Sequence, residues 1–318
     1  MTEPIKVDVH MHLYPSAESG AWWKRGYEIW EYGAKDGVSF SRSNGTVDEA
    51  LLAMEKAGFQ HGVAVNLLSV DLFREEALAM LPQDLEAEER RLAAAEIDAS
   101  MDERFRASNR WLVDALAPIP RLTPYVGVDP WALSPVQNVE HLRDMAARGA
   151  RGVKLHPVAQ RFEPNDPRMH QVYAACEELG LVVLSHTGSA KGPTAFAEPQ
   201  AFAPVLERHA RLEVVLAHLG GGSWQQTVAL AEAFPRVAFD LCEIIEWTGA
   251  PGAPTDEQLA RMIQRIGPER VMLGTDFPWY DLDRTVELVM LLPLLSDAEK
   301  QGILGANAVR ILNLPANP

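Results

Sequence analysis

Short runs rich in valine, isoleucine and leucine recur along this chain, separated by longer stretches with helical spacing, and that alternation limits the folds open to it. Eight runs stand out, at 6–10, 62–67, 122–128, 152–155, 181–185, 213–217, 236–241 and 270–275. From the fourth onward their starts recur about every thirty residues, the length of one strand, helix and return. Eight such units close a parallel barrel, so the spacing predicts an α/β fold, a (β/α)8 TIM barrel, as a single domain over residues 1–318. The chain's 318 residues exceed a minimal barrel of about 250, which leaves room for insertions. A doubly wound dinucleotide-binding sheet matches less well, because Gly220-Gly221-Gly222 lacks the GxGxxG spacing and comes late.

Two connections are longer than a barrel needs. The first, after strand 1, runs over 13–45 and carries Tyr14, Trp22, Trp23, Tyr27, Trp30, Tyr32 and Phe40. A long aromatic loop serves as a lid, a ligand wall, a homodimer contact or a hydrophobic flap over the barrel mouth, and the sequence leaves these open. The second, 82–116, opens with the charged run Asp84 to Arg91 and reads as a solvated helix. The tail, 294–314, reads as one or two extra C-terminal helices covering the barrel.

Composition narrows the partners. With 29 basic and 44 acidic residues the net charge is −15, which repels phosphate backbones and anionic lipid, so a small-molecule substrate is expected and neither nucleic acid nor a membrane. No apolar stretch approaches the roughly 20 residues needed to span a bilayer. The start, Met1 to His10, lacks a basic region followed by an apolar core, so a cytoplasmic location is expected. Cys176 and Cys242 sit in apolar contexts that suit buried thiols.

The chemistry concentrates at the ends of the runs. In Asp8-Val9-His10-Met11-His12 alternate residues share a face, which sets two imidazoles side by side; Val7, Val9 and Met11 are expected on the opposite face, against outer helices. His186, His218 and Asp276 close the fifth, sixth and eighth runs. In a barrel all these ends share one mouth, and repeated imidazoles with a carboxylate there call for something to pair with them, most economically a divalent cation. Lys154 and His156 share a face of the fourth run; Lys154 is expected either to pair with Asp8 or Asp240 or to face the mouth, and His156 to face substrate or to make a structural bond. Arg161 is a candidate clamp for a substrate carboxylate, against a surface ion pair, and Trp279 and Trp247 are candidate pocket walls. Asp129, Asp240 and Glu243 lie near other strand ends, where they could order ligands from behind.

Taken together, His10-Met11-His12, Gly152-Val153-Lys154-Leu155-His156-Pro157, Ser185-His186-Thr187-Gly188, Ala217-His218-Leu219-Gly220-Gly221, Gly274-Thr275-Asp276-Phe277-Pro278 and the tail Gly305-Ala306-Asn307-Ala308 resemble the amidohydrolase superfamily. The likeness covers nearly the whole chain and is to the amidohydrolase-2 group, which includes aminocarboxymuconate semialdehyde decarboxylase. It implies that His10, His12, His186 and Asp276 hold one divalent metal, most often Zn2+, with His218 handling protons above it and Asp276 as its partner. Some branches hold two metals on a modified lysine from the fourth strand, so Lys154 would be a ligand only if the site is binuclear. The expected activity is hydrolysis of a small ester, lactone or amide through a metal-activated water; the alternative is non-oxidative decarboxylation on the same ligands.

Overall fold

In the computed structural model, which describes residues 4–25, 31–189 and 197–315, eight parallel strands pair in chain order. They are β1 (Val7–His12), β2 (His61–Val65), β3 (Leu122–Gly127), β4 (Gly152–Leu155), β5 (Val182–Ser185), β6 (Val214–Leu216), β7 (Ala238–Asp240) and β8 (Val271–Met272). The seam is joined by Val9 N–H donating to the Leu273 carbonyl (3.0 Å) and by a parallel bridge between Met11 and Phe277. Helices surround the strands, as the spacing predicts; the first four are α1 (Ala17–Arg25), α2 (Val47–Ala57), α3 (Val70–Ala79) and α4 (Ala87–Leu116).

The apolar residues separate into an interior and a shell. One buried cluster joins Val7, Val9, Val63, Val65, Leu184, Val215 and Met272, a set contributed by strands all round the sheet, which can meet only inside the barrel. Tyr125 of β3 also belongs to it, and Gly152 makes the room: a Cβ there would lie 2.5 Å from the Tyr125 ring. A larger cluster, including Met11, Val153, Leu155, Phe239 and Leu273, packs under the helices.

This corrects the expected faces of β1. Val7 and Val9 point into the barrel, and only Met11 packs outward. The pairing with β2 is irregular between Asp8 and Met11, and such a bulge re-aims the following side chains, so that His10 and His12 also turn inward. Strand ends differ too. β1 runs on to include His12, whereas β8 stops at Met272, four residues before Asp276.

The 82–116 segment is solvated only in its first half. Its last turns bury Phe105, Leu112 and Val113, and the side chain of Asn109 donates to the Gly127 carbonyl while accepting from the Gly127 N–H. The tail forms the helix Asp297–Gln301, a π turn and the helix Asn307–Ile311; Ala308 and Leu312 join the interior cluster, closing the end of the barrel where β1 begins. Among the described residues, no helix is long and apolar enough to cross a membrane.

Candidate metal centre

The opposite end of the barrel is polar and buried. His12 Nε2 lies 3.2 Å from Asp276 Oδ1, and His10 Nε2 lies 3.6 Å from the same oxygen. All three side chains are buried, and their ligand atoms lie within 4.8 Å of one another. The other nitrogen of His10 is engaged by Asp240, whose Oδ2 lies 3.0 Å from Nδ1. A carboxylate behind a ring fixes its tautomer with Nε2 forward as a lone-pair donor, the arrangement that orients metal-ligating histidines. Asp240 Oδ1 also accepts the backbone N–H of His218 at 2.8 Å, so one buried acid aligns two functional residues.

Four non-glycine positions just after β6, β7 and β8 are left-handed at this mouth: His218 (φ 63°) with its neighbour Leu219 (φ 47°), Glu243 (φ 62°) and Asp276 (φ 56°). Such conformations cost of order 1–3 kcal/mol each and persist where surrounding bonds enforce them. For Asp276 the enforcing group is Asp8, which accepts the N–H and hydroxyl of Thr275 as well as the His10 N–H.

His218 sits beside this set, with its ring 5.4 Å from that of His10 and 4.7 Å from that of His186. Its Nδ1 lies 3.1 Å from the Cys242 carbonyl, which accepts the Nδ1 proton and leaves Nε2 to face the mouth. His10, His218 and Cys242 also form a close group of potential ligands. Both Nδ1 atoms in it are already bonded to oxygen, which makes it a hydrogen-bond cluster.

His186 stands apart from the His10, His12 and Asp276 triplet. It stacks on His156 at 3.9 Å between ring centres, and its Nε2 faces Glu31 Oε1 at 3.4 Å. Glu31 belongs to the long loop after β1 and was not singled out by its sequence context, since no periodicity marks it.

Lys154 pairs with neither Asp8 nor Asp240; its amine lies 2.6 Å from His10 Nε2, in the barrel interior. Arg161 is exposed and ion-paired with Asp71 (3.2 Å) and Glu75 (2.6 Å), which already satisfy its charge. Trp279 is buried with its edge against His12, and Trp247 donates to the Tyr280 hydroxyl. Asp129 accepts backbone N–H groups of Trp131 and Ala132, a structural turn. In the aromatic loop, Trp22 and Trp23 pack on Phe73 and Tyr32 on Trp247, so the loop touches both sides of the mouth; Tyr27 and Trp30 lie outside the described residues.

Electrostatics favour a cation here. Burial holds His10, His12 and His156 below the ordinary imidazole range and places His186 at about 3 and His218 at about 4, so all are neutral at pH 7, the form that ligates. Burial alone would raise Asp276, but its bond to His12 and the neighbouring imidazoles outweigh this and hold it far below the usual carboxylate range. Burial pushes Glu31 up to about 8, as expected of a carboxyl without a cation beside it. Glu31 Oε1 and His186 Nε2 are both buried with no hydrogen-bond partner. Neutral imidazoles, an ionised carboxylate and orphaned donors suit a divalent ion with mixed N and O ligands.

The profile of the family described as Amidohydrolase (Amidohydro_2) matches residues 7–314. No curated protein matches the chain. Among solved structures, 5-carboxyvanillate decarboxylase from Sphingomonas paucimobilis superposes with a TM-score of 0.65 at 16% identity, covering 98% of this chain and 100% of that one. A manganese-bound dihydroxybenzoic acid decarboxylase from a Polaromonas species gives 0.64 at 15%, covering 98% and 97%. A structure described as a probable 2-pyrone-4,6-dicarboxylic acid hydrolase from Acinetobacter baumannii gives 0.57 at 14%, covering 97% and 99%. At such identities the likeness shows the fold.

Proposed function

The chain belongs to the amidohydrolase family, and from that premise we propose that it is a metal-dependent, non-oxidative decarboxylase of a small aromatic carboxylic acid. The observation that carries this reading is His218, a buried imidazole with Nδ1 tied to a carbonyl and Nε2 free beside the ligand cluster. Decarboxylation needs one proton moved to carbon, and His218 is placed to move it. Hydrolysis would use the same neutral ring as a base toward water, so His218 serves either reaction. Two of the structures of like fold carry decarboxylase names, and this supports decarboxylation.

His10, His12, Asp276 and His186 would hold the ion, with Mn2+ or Zn2+ both suited to imidazole and carboxylate. When bound, it supplies positive charge for the substrate's carboxylate and a neighbouring oxygen. His218, neutral with its Nε2 bare, would take a proton from a hydroxyl of the substrate and pass it to the ring carbon; the bond from that carbon to the carboxyl breaks, its electron pair stays on the ring, and carbon dioxide leaves with a phenolate as product. A cavity of about 380 Å³ walled by Tyr14, Trp23, Trp111 and Leu68 opens beyond the ends of β1 and β2, and neither His218 nor any of the four ligand candidates lines it.

Hydrolysis of a lactone is the second reading, favoured by the likeness to the pyrone dicarboxylic acid hydrolase. The two are separated by incubating the Mn2+-loaded protein with hydroxybenzoates and pyrone carboxylates in 18O-labelled water. Release of carbon dioxide without label in the organic product is expected. Label incorporation without carbon dioxide would establish hydrolysis instead.

A further inference from the structure

Glu31 reaches the barrel mouth from a loop with no regular pattern, yet its seat is built for it. Gly222, 191 residues away, donates its N–H to Glu31 Oε2 at 2.6 Å. A Cβ on Gly188 would lie 2.0 Å from Glu31 Oε1, and one on Gly221 would lie 2.1 Å from Oε2. Gly188 follows His186 by two residues, and Gly221 follows His218 by three. Two side-chain-free positions on neighbouring strand ends therefore clear the space for one carboxylate, whose side chain is only 4% exposed. The other face of that carboxylate presents Oε1 to His186 Nε2, 3.4 Å away, with neither atom otherwise bonded.

We propose that Glu31 is the positioning residue for His186: its Oε1 accepts the Nε2 proton, which leaves Nδ1 as the lone-pair nitrogen available to a metal ion. This deepens the reading of His186 as a metal ligand and rests on it. The pair repeats the relation of Asp240 to His10 with the ring nitrogens exchanged, and a buried carboxylate behind each ligating imidazole is the usual way its direction is fixed. The 3.4 Å contact is long and bent away from the ring N–H direction, so a small turn of either side chain is needed to make it a hydrogen bond. The run Gly220-Gly221-Gly222, which fits no phosphate-binding pattern, gains a reason: its backbone is the floor on which this carboxylate rests.

The test exploits Gly222. In Glu31→Gln the amide oxygen is claimed by the Gly222 N–H, so the NH2 group faces His186 Nε2 as a donor and forces the proton onto Nδ1. Nitrogen-15 NMR of histidine-labelled, metal-free protein at about pH 9, where Glu31 is ionised and both its oxygens accept, is expected to show His186 protonated at Nε2 in the wild type and at Nδ1 in Glu31→Gln. The Kd for Mn2+ should rise about 10- to 100-fold in that variant. Gly221→Ala, which evicts the carboxylate without altering it, should weaken Mn2+ binding similarly. An unchanged His186 tautomer in Glu31→Gln overturns the proposal, as does a metal-loaded crystal structure with Glu31 oxygen within about 2.2 Å of the ion, since that makes it a ligand. A wild-type protein that takes up no Mn2+ or Zn2+ refutes the metal reading, while the tautomer comparison still decides the pairing.

Discussion

His218 is held neutral by burial, and both the activity and the acid response of the protein follow from that one ring. Replacing it with glutamine removes the proton carrier and leaves His10, His12 and Asp276 in place. A fall in kcat of about 10²- to 10⁴-fold with unchanged metal content is expected, read by steady-state rates and elemental analysis. The same variant isolates a linkage. The folded imidazole titrates near 4 and the unfolded one near 6.5, so as pH falls through this window the unfolded chain binds the proton first. Stability that is present above pH 6.5 is therefore lost on the way to pH 4, by about 3 kcal/mol for this group. In metal-free protein, urea midpoints for the wild type should drop relative to His218→Gln across that range; parallel curves would show that the ring is not held neutral. At this scale much of the site was legible: His10, His12, His218 and Asp276 stand at the ends of apolar runs. Glu31 was hidden because its partners are glycines far away in the chain, and Lys154's contact with His10 because strand order does not say which side chains cross a barrel.

Strands carry the site and the tail carries the strands. In the motif Gly305-Ala306-Asn307-Ala308, Asn307 donates to the carbonyls of Pro268 and Val271, where β8 begins, and Gly305 lies against β1's approach. A Cβ on Gly305 would sit 2.2 Å from the Ile5 carbonyl oxygen and 3.1 Å from Lys6 Cα, both backbone atoms that cannot swing away. Gly305→Ala should cost about 1–3 kcal/mol in urea unfolding, with kcat of the surviving folded enzyme intact, because the contact is at the end of the barrel away from the histidines. A loss of kcat without loss of stability would mean that the tail reports to the mouth. Strand existence and order were readable from period and spacing. The inward histidines were readable from the alternation, but inward Val7 and Val9 were not, since they depend on an irregular pairing with β2 that strict alternation conceals.

For the whole molecule, the metal ligands lie on both sides of the seam where β1 meets the chain beyond β8, so an ion that joins His10, His12 and Asp276 also fastens the barrel shut. An ion that binds only the folded state stabilises it by mass action, about 2.7 kcal/mol at a hundred times its Kd. For a chain of this size that corresponds to a rise in Tm of about 4 °C. The net charge of −15 complicates the measurement, because any divalent cation relieves self-repulsion among 44 acidic side chains without entering the site. The specific part is isolated by His12→Ala, which removes one ligand and leaves the surface charge untouched. Titrating Mn2+ into both metal-free proteins, the wild type should gain the full rise and saturate, whereas His12→Ala should show only the small, unsaturating drift of charge screening. Equal gains in the two would place the stabilising ion elsewhere on this acidic surface and detach the seam from the chemistry at its end.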